Sequence, residues 1–185
     1  TLGSGKGVVR GILENKGFKS RVFSDLLKDE LNEISRTINR KNLQDIGNDI
    51  RVKEGKNALA VRLVNSLDLN ENCVVDGSRN PAEVEELKRK GFVIISLDAP
   101  RKLRFDRLLF RRSEKDPKTW EEFLEVEKRD LKEDDPAGQQ VQECMRLADY
   151  SVMNDLNYGD LFQKIDNVLE KIRKKYSNEV QFGYR

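Results

Sequence analysis

No histidine occurs anywhere in the chain, which removes imidazole bases and His-ligated zinc from its chemistry. Two cysteines, Cys73 and Cys144, are too few and too far apart for a cysteine metal cage or a disulfide framework. No apolar run approaches the roughly 20 residues of a membrane-spanning helix. No basic-then-apolar leader is visible either, so a cytoplasmic location without a membrane partner is the expectation. An excess of one charge is also missing: 35 Lys and Arg stand against 33 Asp and Glu, and so small an imbalance argues against a nucleic-acid surface. A small anionic ligand fits that balance better. Long linkers and internal repeats are absent, and 185 residues suffice for a buried core, so residues 1–185 read as one domain of open oligomeric state.

What is present starts with Thr1-Leu2-Gly3-Ser4-Gly5-Lys6-Gly7-Val8. These residues follow the phosphate-loop pattern G-x-x-x-x-G-K-[ST] from its second position onward, with the first glycine and a preceding strand expected upstream. Gly3, Gly5 and Gly7 permit turns that point backbone N–H groups inward, toward anionic oxygens. An apolar helix beginning near Val8 adds its positive N-terminal end, and Lys6 supplies a full charge. Gly7 stands where a Ser or Thr hydroxyl usually meets magnesium, so magnesium is expected to bind largely through water.

Short β-rich runs alternate with helical patterns. Arg21–Phe23, Cys73–Val75, Phe92–Leu97 and Tyr150–Met153 read as buried parallel strands. With the strand expected before Thr1, they form an α/β sandwich around a parallel sheet of about five strands, and the loop lies at the strand ends, where open parallel sheets bind ligands. About fifty residues separate the first two runs, roughly twice what one crossover needs. Helical patterns at 25–34, 40–53 and 56–67 fill that excess and predict a helical insertion over about 25–70. Further patterns at 101–112, 118–131 and 137–147, broken at Asp116-Pro117 and Asp135-Pro136, predict a lid over about 112–137.

Asp76-Gly77-Ser78-Arg79 follows the run Val74-Val75. A carboxylate at a buried strand tip beside a phosphate loop can hold the waters of magnesium or act on an acceptor's proton. Arg79 offers an acceptor phosphate a two-toothed contact. Ser24 and Asp25 can cap the following helix, and their turn should also sit beside the loop, giving acceptor contacts. Arg51 suits either an acceptor contact or a solvated charge. Arg104, Arg107 and Arg111 share one helical face; Arg107 and Arg111 are the choice for shielding transferred charge, although Asp106 and Glu114 can pair with such arginines. Asn154, closing the last strand, can frame a nucleotide base or simply make a turn.

Together these features resemble the nucleoside monophosphate kinase group of P-loop proteins. Gly3-Ser4-Gly5-Lys6-Gly7 is similar to the adenylate kinase form of the loop, with Val8 where that family usually carries threonine. Ser24-Asp25, Asp76-Gly77-Ser78-Arg79-Asn80-Pro81 and Asp116-Pro117-Lys118-Thr119-Trp120 resemble archaeal adenylate-kinase-related and dephospho-coenzyme-A-kinase-like proteins more closely. The resemblance implies a three-layer α/β/α P-loop NTP hydrolase fold, ATP as donor, Mg²⁺ as cofactor and a small phosphorylated acceptor. Lys28 occupies a place where that family would carry arginine.

The implied residues are Gly3, Ser4, Gly5, Lys6, Gly7, Val8 and Asn154 for the donor, with Ser24, Asp25, Arg51 and Arg79 for the acceptor. Lys6, Asp76, Arg107 and Arg111 would serve transfer, and Asp76 would hold the metal through water. Two other readings stand beside the kinase: a nucleotide-sensing module without efficient transfer, motivated by Gly7, Val8 and Lys28, and a simple NTPase. Fast ATP hydrolysis without an acceptor would mark the last.

Overall fold

The computed structural model describes residues 1–113, 116–131 and 136–181, with backbone alone for 178–181. The chain alternates helices and short parallel strands. Helix α1 (Lys6–Asn15) leads to β1 (Lys19–Val22), followed by α2 (Phe23–Glu33), α3 (Arg40–Glu54) and α4 (Ala58–Asn65). Strand β2 (Cys73–Asp76) feeds α5 (Pro81–Arg89), and β3 (Ile95–Asp98) feeds α6 (Arg101–Arg111). Then come α7 (Trp120–Leu131), α8 (Val141–Arg146), β4 (Tyr150–Met153) and α9 (Tyr158–Gln181).

The shifts in element boundaries come from contacts with other elements. Phe23, expected to end a strand, instead begins α2 and is buried against Leu59 and Leu63. Phe92 and Ile94 precede β3 rather than belonging to it, because they pack on that same cluster around α4. Helix α8 starts four residues later than its pattern suggested, because Ala137 to Gln140 are drawn into contacts with Arg51, Arg79 and Asn80. The expected cap of α2 does not form: Val22 stands at the N-cap, and Asp25 lies in the first turn paired with Lys28 at 2.6 Å. Asn80 and Glu83, by contrast, build a full capping box at the start of α5, with Pro81 in its first turn.

The strands form two parallel pairs instead of one continuous sheet. Lys19–Val22 run beside Cys73–Asp76 in register, and Ile95–Asp98 beside Tyr150–Met153. Four strands are therefore seen where about five were expected. No backbone ladder joins β2 to β3 among the described residues. Between them lies a cavity of about 620 Å³, lined by Val74, Val75, Ile95 and Leu97 and backed by Ile165 and Leu169. The core is divided to match. Ile12, Leu13, Leu97, Val152 and Ile165 pack under α1 and α9, whereas Phe23, Leu59, Leu63 and Leu87 pack among α2, α4 and α5. A third cluster, Phe105, Leu108 and Phe123 with Trp120, fastens α7 to α6.

The stretch expected as a helical insertion holds α2, α3 and α4. Of the expected lid, α7 is described, while Glu114 and the Asp135 breaker lie outside the described residues. No helix among the described residues is long and apolar enough to cross a membrane.

Candidate functional site

Two glycines shape the loop ahead of α1. Gly3 (φ 73°) and Gly5 (φ 99°) occupy the left-handed region, which any Cβ penalises, and both are hemmed in. A Cβ on Gly3 would meet the Arg104 carbonyl oxygen at 2.6 Å, and one on Gly5 would meet Asn154 Nδ2 at 2.4 Å. Gly7 differs from the expectation: it is helical, and a Cβ there would meet nothing within 4 Å. Ser4 is buried, with Oγ donating to the Thr1 carbonyl at 2.9 Å. The first turn of α1 carries no acidic residue, so its unpaired N–H groups keep their positive character.

These positions allow a direct check of the loop's shape. Gly5→Ala should lose roughly 1–2 kcal/mol from its backbone conformation alone, with more from displacing Asn154. Gly7→Ala should gain about 0.5–1 kcal/mol in urea unfolding. The reverse order would rule out the loop geometry described.

Lys6 folds back across the loop and donates from Nζ to the Thr1 carbonyl at 2.8 Å. Burial pushes its ammonium pKa down from the ordinary lysine value; Asp76 and Asp130 oppose the shift, and Arg79 and Arg40 reinforce it. The ammonium is thus an underpaired cation held among charged groups. Asp76, at the tip of β2, is mostly buried and meets Arg10 only at 3.6 Å, so its lone pairs are weakly used. Lys6, Asp76 and Arg79 border a cavity of about 1010 Å³ that also reaches Ser24, Asp25 and Arg107. Val8 and Lys28 border it too.

The arginines named from sequence divide sharply. Arg107 donates to Asn154 Oδ1 at 3.2 Å, while its buried Nη1 lacks a hydrogen-bond partner among the described residues. Arg107 is half-buried at the cavity wall, with donor capacity on that nitrogen unused. Arg111 instead forms a two-toothed pair with buried Asp116, both bonds 2.7 Å. Arg51 is the clearest correction. It is buried and donates from Nε to Glu83 at 2.8 Å and from Nη1 to Asn48, so it is not a solvated charge, although it borders the same cavity as Ser24, Asp25 and Arg79. Asn154 is buried at the cavity's edge and donates to the Ser4 carbonyl at 2.8 Å, bracing the loop. Arg104, left aside in the sequence reading, supports the loop through the Leu2 carbonyl at 3.2 Å and pairs with buried Glu127. Asp106 pairs with Lys102 instead of an arginine.

Three participants were missed: Arg40, Gln44 and Asp130. Arg40 and Gln44 stand one turn apart on α3 and, with Gly47 and Arg51, make a stripe at helical spacing along its cavity side. A polar stripe on the packed face of an inserted helix was the signal available. Asp130 carried none, since it sits among the charges of α7 like any solvated residue.

No group of three or more Cys, Asp or Glu side chains among the described residues is arranged to hold a metal ion directly. Asp76 alone fits the water-mediated role expected of it.

Comparison with known proteins adds the family. The family described as the AAA domain matches residues 1–133. A UPF0200 protein of Pyrococcus horikoshii is 30% identical over 178 residues, covering 92% of each chain. One of Pyrococcus furiosus is 32% identical over 178 residues with the same coverage. A UPF0200/UPF0201 protein of Archaeoglobus fulgidus is 31% identical over 185 residues, which span 96% of this chain and 55% of that one.

Proposed function

The chain belongs to the AAA domain family and to the UPF0200 group of proteins, and from that premise we propose that it is a phosphotransferase moving the γ-phosphate of Mg-ATP onto a nucleoside monophosphate or a related nucleotide. The observation that carries the reading is the cavity of about 1010 Å³, which runs without a break from the glycine loop past Asp76 and Arg79 onto α2 and α3. Its volume stands at the upper end of the roughly 300–1,000 Å³ of ordinary ligand sites, so it has room for a donor and an acceptor together.

In this reading the loop N–H groups and Lys6 hold the donor phosphates, and the low-dielectric surroundings that depress the Lys6 pKa strengthen its pull on them. Arg107, already partly desolvated, takes the charge spread over the transferred group. Asp76 holds the waters of magnesium, whose contribution when bound is to neutralise donor phosphate oxygens. Ser24, Asp25 and Arg79 position the acceptor. Arg111 remains with the lid, where its pairing with Asp116 ties the end of α6 to the segment entering α7. Closure of that lid would exclude water and suppress hydrolysis.

The fold part of the proposal is the three-layer P-loop arrangement. A central parallel strand leading into Thr1 would occupy the slot between β2 and β3, pairing with both free edges. Its apolar lining and the 3.3 Å contact from the Thr1 nitrogen to the Leu97 carbonyl at the slot's end support that placement.

One observation favours the sensing module instead: Arg79 and Arg111 are each engaged by an internal carboxylate. ADP formation from Mg-ATP across nucleoside monophosphates, deoxynucleoside monophosphates and dephospho-coenzyme A separates the two. A response to one acceptor is expected. Tight ATP binding with no acceptor-dependent ADP would sink the phosphotransferase and leave the module.

A further inference from the structure

Three donors from two separate parts of the chain converge on one carboxylate. Gln44 Nε2 lies 3.0 Å from Asp130 Oδ1, Arg79 Nη1 lies 3.0 Å from the same oxygen, and Arg40 Nη1 lies 3.8 Å from Oδ2. Asp130 is 5% exposed. Gln44 and Arg40 come from α3, Arg79 from the turn after β2, and Asp130 reaches across from α7. Arg40, Gln44 and Arg79 all border the large cavity, and Asp130, Arg40 and Arg79 are among the charges acting on Lys6. The knot therefore sits within electrostatic reach of the glycine loop.

The charges in this knot do not balance. Two guanidiniums contact this one carboxylate, Arg79 also donating to Gln139 Oε1 at 2.7 Å and Arg40 feeling Asp116 as a second, more remote carboxylate, and the Nη1 of Arg40 is sealed from solvent without a hydrogen-bond partner among the described residues. Each guanidinium offers five N–H donors in a fixed fork, and a carboxylate cannot satisfy two forks and an amide together. A phosphomonoester carries about −1.5 to −2 charges at neutral pH and three acceptor oxygens, which answers this donor set better than a carboxylate does. The partner now in place is thus the weaker of two possible anions.

We propose that Asp130 is a stand-in anion, which fills the acceptor's phosphate subsite in the ligand-free chain and is displaced when a dianionic phosphomonoester arrives. The proposal rests on the phosphotransferase reading for the identity of the acceptor. Displacement turns Arg79 and Arg40 from the carboxylate onto the phosphate and frees α7 from α3 and β2 at this point. Specificity follows from the same exchange. A dianion outcompetes the resident carboxylate, whereas a monoanionic carboxylate or phosphodiester offers the arginines no advantage over what they have. The arrangement filters acceptors by charge before any base or sugar is read.

Calorimetric titration of the full chain with inorganic phosphate tests this in the Lys6→Ala background, so that phosphate held at the loop is not counted. Asp130→Asn, which keeps the shape and the Gln44 contact, should tighten phosphate binding by about tenfold, the effect of removing one competing charge. Adding Arg40→Gln should abolish the gain. Asp130→Glu should leave phosphate affinity close to the parent's. A purely structural Asp130 would show lower stability with unchanged or weaker phosphate binding, and that result overturns the proposal. If Asp130→Asn fails to fold, Gln44→Ala decides, because it loosens the carboxylate without touching an arginine: tighter phosphate binding supports the stand-in, and an unchanged affinity overturns it. Failure of the phosphotransferase reading is visible separately, as absent ADP formation in the acceptor panel with phosphate affinity still responding to Asp130→Asn.

Discussion

Glu83→Ala should unfold the protein at markedly lower urea concentration, with a loss of about 3–5 kcal/mol. Its side chain is fully buried and ties together four groups: Oε1 accepts from Arg51 Nε at 2.8 Å, and Oε2 accepts from the backbone N–H of Arg79 at 2.8 Å, that of Asn80 at 3.1 Å and Ser78 Oγ at 3.2 Å. Truncation leaves the buried Arg51 charge without its carboxylate and strips the cap from α5 together. The melting temperature should fall by about 10 °C, at about 2–4 °C per kcal/mol for a chain of this size. Arg51→Met combined with Glu83→Gln should recover much of the loss, since the orphaned charge is then gone. If Glu83→Ala unfolds within about 1 kcal/mol of the parent, the hub described here does not exist.

If the proposed phosphotransferase reading holds, Lys6→Ala should reduce nucleotide turnover by roughly 10²–10³-fold or more, because it removes the full positive charge which that reading assigns to the donor phosphates. Its stability should move the other way. The folded state depresses the Lys6 pKa, so the charged form is disfavoured by folding at neutral pH, and that cost fades as pH rises through the depressed value. Removing the ammonium removes the cost, and the melting temperature of the ligand-free variant should stay level or rise. Lost turnover with a lower melting temperature would instead mark Lys6 as a structural residue.

How far a sequence speaks for its fold depends on whether the signal is local. The glycine loop was legible because left-handed backbone at Gly3 and Gly5 demands glycine, and the lysine follows at a set spacing. Strand β4 was legible to its last residue, Met153, since nothing nearby competes for its apolar run. Phe23 was misplaced because a buried aromatic reads alike at a strand end and a helix start, and the deciding contact is with α4, more than thirty residues on. Arg51 and Asp130 were opaque for one reason. A charge on a helix looks solvated until its partner is known, and those partners, Glu83 and the pair Gln44 and Arg79, come from distant segments. Gly7 shows the opposite error: a glycine inside a motif was credited with a turn that its helical backbone does not make.

The bond from Asn154 to the Ser4 carbonyl joins residues 150 positions apart. Synthesis runs from the loop toward that asparagine, so the loop must wait for a residue made 150 positions later before this brace exists. Arg104, which supports the Leu2 carbonyl, arrives more than halfway along the chain. A nascent chain halted before β4 therefore holds the glycine-loop residues Thr1 to Lys6 without the scaffold that shapes them. The shape of the glycine loop is in this way tied to the emergence of β4 and the asparagine that follows it, long after the loop itself is made.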